Sequence, residues 1–179
     1  MPRIIALTGF MGAGKTSIGR ALATLLRWSF VDLDQEIELP ENKPIREIFR
    51  LHGESQFREL EARALHRILE QVSAPTVIAL GGGTFVQTGN AELLRNAGTH
   101  VVFLETPLEE MLERCVVGGG SLEESLRPLA SAPDAFRELY AQRLPLYRNA
   151  DLTLGTAGKT AEDNAREIAS KLQLAKSAL

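Results

Sequence analysis

Residues 9–16 read Gly9-Phe10-Met11-Gly12-Ala13-Gly14-Lys15-Thr16 and match the pattern G-x-x-x-x-G-K-[ST]. The residue types have a physical meaning. Glycines let the backbone curl until successive N–H groups point inward at phosphate oxygens. The lysine reaches the outer phosphates, and the Ser or Thr hydroxyl ligates a divalent cation such as Mg²⁺. The flanks agree. Residues 3–8, RIIALT, are a short apolar, β-branched run bounded by glycine, as a buried strand is. Residues 15–27, KTSIGRALATLLR, carry Ile18, Leu22, Leu25 and Leu26 at helical spacing. That helix adds its positive N-terminal end to the phosphate site. Strand, P-loop and helix in this order predict a nucleoside-triphosphate site formed by Gly12, Ala13, Gly14, Lys15, Thr16 and Ser17.

Working outward, apolar runs predict strands over 29–33, 76–80, 100–104 and, more weakly, 151–154. Helical periodicity predicts helices over 44–50, 54–72, 90–97, 107–115, 134–143 and 160–174. Strands too apolar to face water, alternating with helices, define an α/β fold: a parallel sheet of about five strands with helices on both faces, in three layers. No repeat or linker divides the chain, so residues 1–179 read as one domain. Residues 116–133 are irregular and rich in Gly, Ser and Pro. A segment of that length inside a compact domain is expected to be a mobile lid.

The 179 residues carry a formal net charge of -3, which leaves no broad positive field for nucleic acid. The one cysteine, Cys115, cannot form an internal disulfide and fits a reducing compartment, with its side chain packed as a small apolar group. His52, His66 and His100 lack metal-ligand spacing, so no zinc site is expected. No run approaches the ~18 apolar residues of a membrane span, and the first apolar piece is short for a signal segment. A cytoplasmic enzyme without a nucleic-acid or membrane partner is expected.

Asp32-Leu33-Asp34 follows the second predicted strand. Alternation in an extended segment puts both carboxylates on one side. Beside a P-loop, one acid can hold the Mg²⁺ hydration shell while the other meets an acceptor. Asp34 also stands where a helix N-cap is favoured, before Gln35-Glu36-Ile37.

The P-loop, the Asp-Leu-Asp pair, Phe57-Arg58, Gly81-Gly82-Gly83, Arg127-Pro128-Leu129 and Arg143-Leu144-Pro145-Leu146-Tyr147 occur in an order that resembles the shikimate kinases over nearly the whole chain. The resemblance implies a P-loop kinase fold and transfer of the γ-phosphoryl group of ATP to the 3-hydroxyl of shikimate, in chorismate and aromatic amino-acid biosynthesis. It implies that Arg58 and Arg143 hold the shikimate carboxylate, for which the guanidinium fork is suited. Asp34 would meet the ring hydroxyls and act catalytically with Lys15 and Arg127. Gly81, Gly82 and Gly83 would let backbone approach the acceptor, Phe49 and Phe57 would wall its pocket, and Thr16 and Asp32 would serve Mg²⁺. Arg127 would close with the lid onto the transferring group, and Arg114, at the lid's leading hinge, would stack near adenine. Arg143 precedes Pro145, where its helix is expected to stop. A monomer is expected.

The lid departs from the family pattern. It looks longer than usual, carries Glu123 and Glu124 where basic residues are common, and reads Arg-Pro-Leu-Ala where Arg-Pro-Leu-Leu is usual. No separate Walker-B acid follows the third strand, an absence the family shares. Two rivals stand beside this reading: a kinase of the same fold acting on another polyol or acid such as gluconate, and a catalytically silent nucleotide-binding homologue.

Overall fold

The structure is a computed structural model that describes residues 3–117 and 133–174. The body of the expected lid, with Arg127, Glu123 and Glu124, lies outside the described residues. Five parallel strands, β1 (Ile4–Thr8), β2 (Ser29–Asp32), β3 (Thr76–Ala79), β4 (His100–Glu105) and β5 (Leu152–Gly155), form one sheet in the order β2-β3-β1-β4-β5. β1 lies at the centre and all five of its residues are buried, as an apolar run in a covered parallel sheet should be. The edge strands β2 and β5 are only partly buried.

The helices are α1 (Lys15–Leu26), α2 (Leu33–Glu41), α3 (Ile45–Gln71), α4 (Thr88–Asn96), α5 (Leu108–Val117), α6 (Pro133–Tyr147) and α7 (Ala161–Lys171). The chain runs from β1 outward to β2, then reverses and adds β3, β4 and β5 in the other direction. Right-handed crossovers therefore put α1 on one face and the later connections on the other. Packing agrees: α1 lies against α7, and α3 lies against α4. The reversal opens a crevice at the carboxyl ends of β1 and β3, the usual ligand position in an open α/β sheet.

Three local expectations are corrected. Residues 33–41 form the helix α2, and its N-cap is Asp32 and not Asp34: the Asp32 Oδ1 accepts a hydrogen bond from the Asp34 N–H at 3.1 Å. Asp34 therefore sits in the first helical turn and not in extended chain. Its negative charge near the helix N-terminus is favourable there. α6 does not stop before Pro145 but continues to Tyr147. A proline in the last turn removes one N–H, and the fully buried Tyr147, stacked on Phe103 at 5.2 Å, holds the turn in place. Residues 116 and 117 belong to α5, and Pro133 begins α6.

The two helices expected over 44–50 and 54–72 form one element broken at Gly53, whose φ of 76° and ψ of 177° lie in a region essentially reserved for glycine. No heavy atom beyond its chain neighbours would contact a Cβ there, so the glycine serves the backbone angle alone. Gly53→Ala is expected to lower stability by about 1–3 kcal/mol, measured by denaturant titration. An unchanged midpoint would show that the break is not built on this residue.

Candidate active site

The P-loop leaves β1 through three glycines with positive φ: Gly9 at 152°, Gly12 at 76° and Gly14 at 87°. Gly14 is the N-cap of α1, and no side chain caps that helix. α7, by contrast, is closed by a capping box from Thr160 and Asp163. The first-turn N–H groups of α1 are thus left without a side-chain acceptor, which suits an anion. Lys15 Nζ donates to the carbonyls of Gly9 and Phe10, both at 3.0 Å, so it is held on the loop in reach of the site. Burial pushes its pKa down, while the Asp34 and Asp32 carboxylates push it back up. Gly12 has a packing reason as well: a Cβ there would meet the Met111 carbonyl at 2.7 Å.

Phe10 turns inward from the loop and is fully buried. Its ring meets Phe136 edge-on at 4.9 Å and Tyr140 at 5.4 Å, both on α6. The Arg143 guanidinium lies over the same ring at 5.8 Å. Two more contacts tie α6 to the turn after β3: the Tyr147 hydroxyl and Arg143 Nη1 both donate to the Gly82 carbonyl, the latter at 3.5 Å. Burial pushes the Tyr147 hydroxyl up to about 12, although neighbouring Arg143 pulls it down.

Asp32 does two things. Besides capping α2, its Oδ2 accepts from the Thr16 hydroxyl at 2.8 Å. This hydroxyl and carboxylate, both hard oxygen donors, fit a Mg²⁺ ion that keeps most of its shell from water and phosphate. Among the described residues no three His, Cys, Asp or Glu side chains cluster as a metal cage.

Asp34 is held deeper. Burial, then the Asp32 charge, push its carboxyl up to about 7, and Lys15 opposes that rise. Its Oδ1 would lie 3.0 Å from a Cβ on Gly81. Arg58, 19% exposed, donates from Nη1 to Glu61 Oε2 at 2.8 Å. Glu61 is 1% exposed, and its other oxygen accepts from the Thr84 hydroxyl at 2.6 Å. A Cβ on Gly83 would lie 2.6 Å from either terminal nitrogen of Arg58. Gly81 and Gly83 are thus needed because Asp34, Glu61 and Arg58 crowd against them.

One continuous cavity of about 600 Å³ joins these groups. It is lined by Gly12, Gly14, Lys15, Thr16, Ser17, Asp32, Asp34, Arg58, Gly81, Gly82, Gly83, Arg114 and Arg143, all expected from the sequence. Phe49 and Phe57, 4.4 Å apart, wall its far end. Ala13 is the exception: its side chain is buried, its N–H donates to the Phe10 carbonyl, and its carbonyl accepts from Thr106. Arg114 lies within α5, paired to Glu110 at 2.8 Å and donating to the Gly12 carbonyl. Arg127 lies outside the described residues. Sequence reasoning missed Glu61, Phe10 and Tyr147 as organisers of the site. For Glu61 a signal existed: a carboxylate inside an apolar helical stripe, three residues after Arg58.

A P-loop facing two arginines and an acid across a single cavity defines an NTP-dependent kinase of a small anionic acceptor. Comparison with known proteins narrows the class. The family model described as shikimate kinase matches residues 11–173. The shikimate kinase of Persephonella marina is 40% identical over 171 residues, covering 96% of this chain and 99% of that protein. That of Moorella thermoacetica is 42% identical, covering 97% and 96%. A solved structure of shikimate kinase from Acinetobacter baumannii in complex with shikimate superposes with a TM-score of 0.88 at 36% identity, covering 99% of this chain and 96% of that one. The chain belongs to the shikimate kinase family, and its activity is that of an ATP-dependent kinase.

The crowding at Gly83 yields a direct test. Gly83→Ala should displace the Arg58 guanidinium and raise the acceptor KM by more than about tenfold, the cost of a lost charge-assisted hydrogen bond. The KM for ATP should change little, whereas the melting temperature should fall, because displacing Arg58 leaves the buried Glu61 carboxylate without its cation.

Proposed function

We propose that this chain transfers the γ-phosphoryl group of ATP to the 3-hydroxyl of shikimate, with each half of the cavity holding one substrate. The observation that carries the reading is the continuity of that cavity from the P-loop to Asp34, Arg58 and Arg143. Gly12, Gly14, Lys15, Thr16 and Ser17 hold the triphosphate, and Ala13, whose N–H and carbonyl are bonded within the protein, shapes the loop. Arg114 lies beside the nucleotide end. Arg58 and Arg143 take the acceptor carboxylate, and Gly81, Gly82 and Gly83 let the acceptor lie close to the backbone. Thr16 directly, and Asp32 through water, would hold Mg²⁺, which when bound neutralises charge on the β- and γ-phosphates.

In the reaction the bond from the 3-oxygen to the γ-phosphorus forms as the bond to the ADP oxygen breaks. Asp34 orients the hydroxyl and takes its proton, a task suited to a carboxylate raised to about 7. Lys15 stabilises charge on the transferring group, and Arg127, which lies outside the described residues, would do the same, as the family resemblance implies. Support for a monomer comes from Leu25, Leu39, Leu51 and Leu146, the exposed large apolar side chains among the described residues, which sit on four different helices. No helix among the described residues is long and apolar enough to cross a membrane. The single cysteine supports a cytoplasmic setting.

Three measurements test this. Asp34→Asn should lower kcat with shikimate by about 100-fold or more, and a rate within about twofold of the parent would remove Asp34 from the chemistry. The same variant should gain thermal stability. Asp34 holds its proton more tightly when folded than when unfolded, so it weakens the fold as pH rises from about 4 towards 7. Asp34→Asn should therefore raise the melting temperature at pH 8 and by less at pH 5. Separately, a substrate panel should show shikimate turned over far faster than gluconate, and equal or faster gluconate turnover would favour a different acceptor.

A further inference from the structure

Arg58 carries two carboxylates that are held very differently. Glu61 is buried and bonded at 2.8 Å, with its second oxygen locked by Thr84. Glu54 is 70% exposed and meets Nη2 at 3.5 Å, a long and weak contact. Glu54 also lines the cavity. It follows Gly53 directly, where the helix is broken and nothing would touch a side chain. The Arg58 Nε is buried and has no hydrogen-bond partner. One terminal nitrogen is therefore permanently engaged, one is loosely engaged, and the Nε donor is unused.

We infer that Glu54 is a displaceable internal carboxylate that competes with the acceptor's carboxylate for Arg58 and thereby lowers the affinity of the site for any carboxylate ligand. This rests on the assignment of Arg58 to the acceptor. With Glu54 in place, two anions already share one guanidinium, and a third meets repulsion that Arg143 only partly offsets. Glu54 must swing towards solvent, and its exposure permits this. An acceptor that also offers hydroxyls to Asp34 can still bind usefully after that displacement, whereas a simple monocarboxylate has nothing further to offer. The built-in competitor thus raises the threshold that every carboxylate must clear, by the same amount for each. The alternative is that Glu54 serves only the N-terminal end of the helical segment after Gly53, where an acidic group is favourable. That role would affect stability and leave acceptor affinity untouched.

The test compares the parent and Glu54→Gln, using shikimate, its methyl ester and, as an inhibitor, cyclohexanecarboxylate. In the variant the KM for shikimate should fall about two- to fivefold, the range for a largely exposed ion pair. The kcat should stay within about twofold, the methyl ester KM should not move, and cyclohexanecarboxylate should inhibit more tightly by the same factor as shikimate gains. A shikimate KM that is unchanged or raised, or a methyl ester that gains equally, overturns the inference. The parent supplies the separate control. It should favour shikimate over the ester by more than about tenfold if Arg58 takes the carboxylate. Without that preference the assignment of Arg58 fails, and the inference fails with it. If the preference is present and Glu54→Gln has no effect, only the inference fails.

Discussion

The turn from the central strand into α1 is the constraint on which the remaining geometry rests. Three glycines at positive φ allow the turn, and the absence of a side-chain cap leaves helix N–H groups for phosphate. The same turn drives Phe10 into the core, where it packs against Phe136 and Tyr140. The nucleotide loop is therefore also the seat of α6, which carries Arg143. The two proposed halves of the site share one aromatic contact.

A second constraint is electrostatic. The cavity holds Lys15, Arg58 and Arg143 together with Asp32, Asp34 and Glu61. Buried charges persist only when paired or hydrogen-bonded. Asp32 is occupied by Thr16 and by capping α2, and Glu61 is occupied by Arg58 and Thr84. Asp34 receives no hydrogen bond to its carboxylate from the described residues, and burial, then the Asp32 charge, raises its proton affinity. The two acids of the Asp-Leu-Asp pair thus differ in kind: Asp32 is held by two hydrogen bonds, and Asp34 is buried with its carboxylate free of them among the described residues.

The triple glycine joins these two constraints. The Gly82 carbonyl is pinned by Tyr147 and Arg143 from α6, while Gly81 and Gly83 accommodate Asp34, Glu61 and Arg58. Side chains at these positions would separate the acid from the arginines. Gly82 differs from its neighbours: a Cβ there would make only ordinary contact, 3.6 Å from the Met11 nitrogen, so its part is the carbonyl that α6 holds.

The residues alone determined the sheet, because continuous apolar runs and helical stripes are local signals, and the P-loop, because its backbone demands are local too. They also determined most of the cavity wall, since Asp32, Asp34, Arg58, the glycines and Arg143 were legible as types suited to phosphate and carboxylate. What only the tertiary structure decided was which acid caps α2, that α6 runs through Pro145, and that Glu61, Phe10 and Tyr147 hold the site together. Those roles depend on partners distant in the chain: Phe10 on Phe136, Tyr147 on Gly82, Glu61 on Thr84. Periodicity reports which face a residue occupies, but not what it meets there.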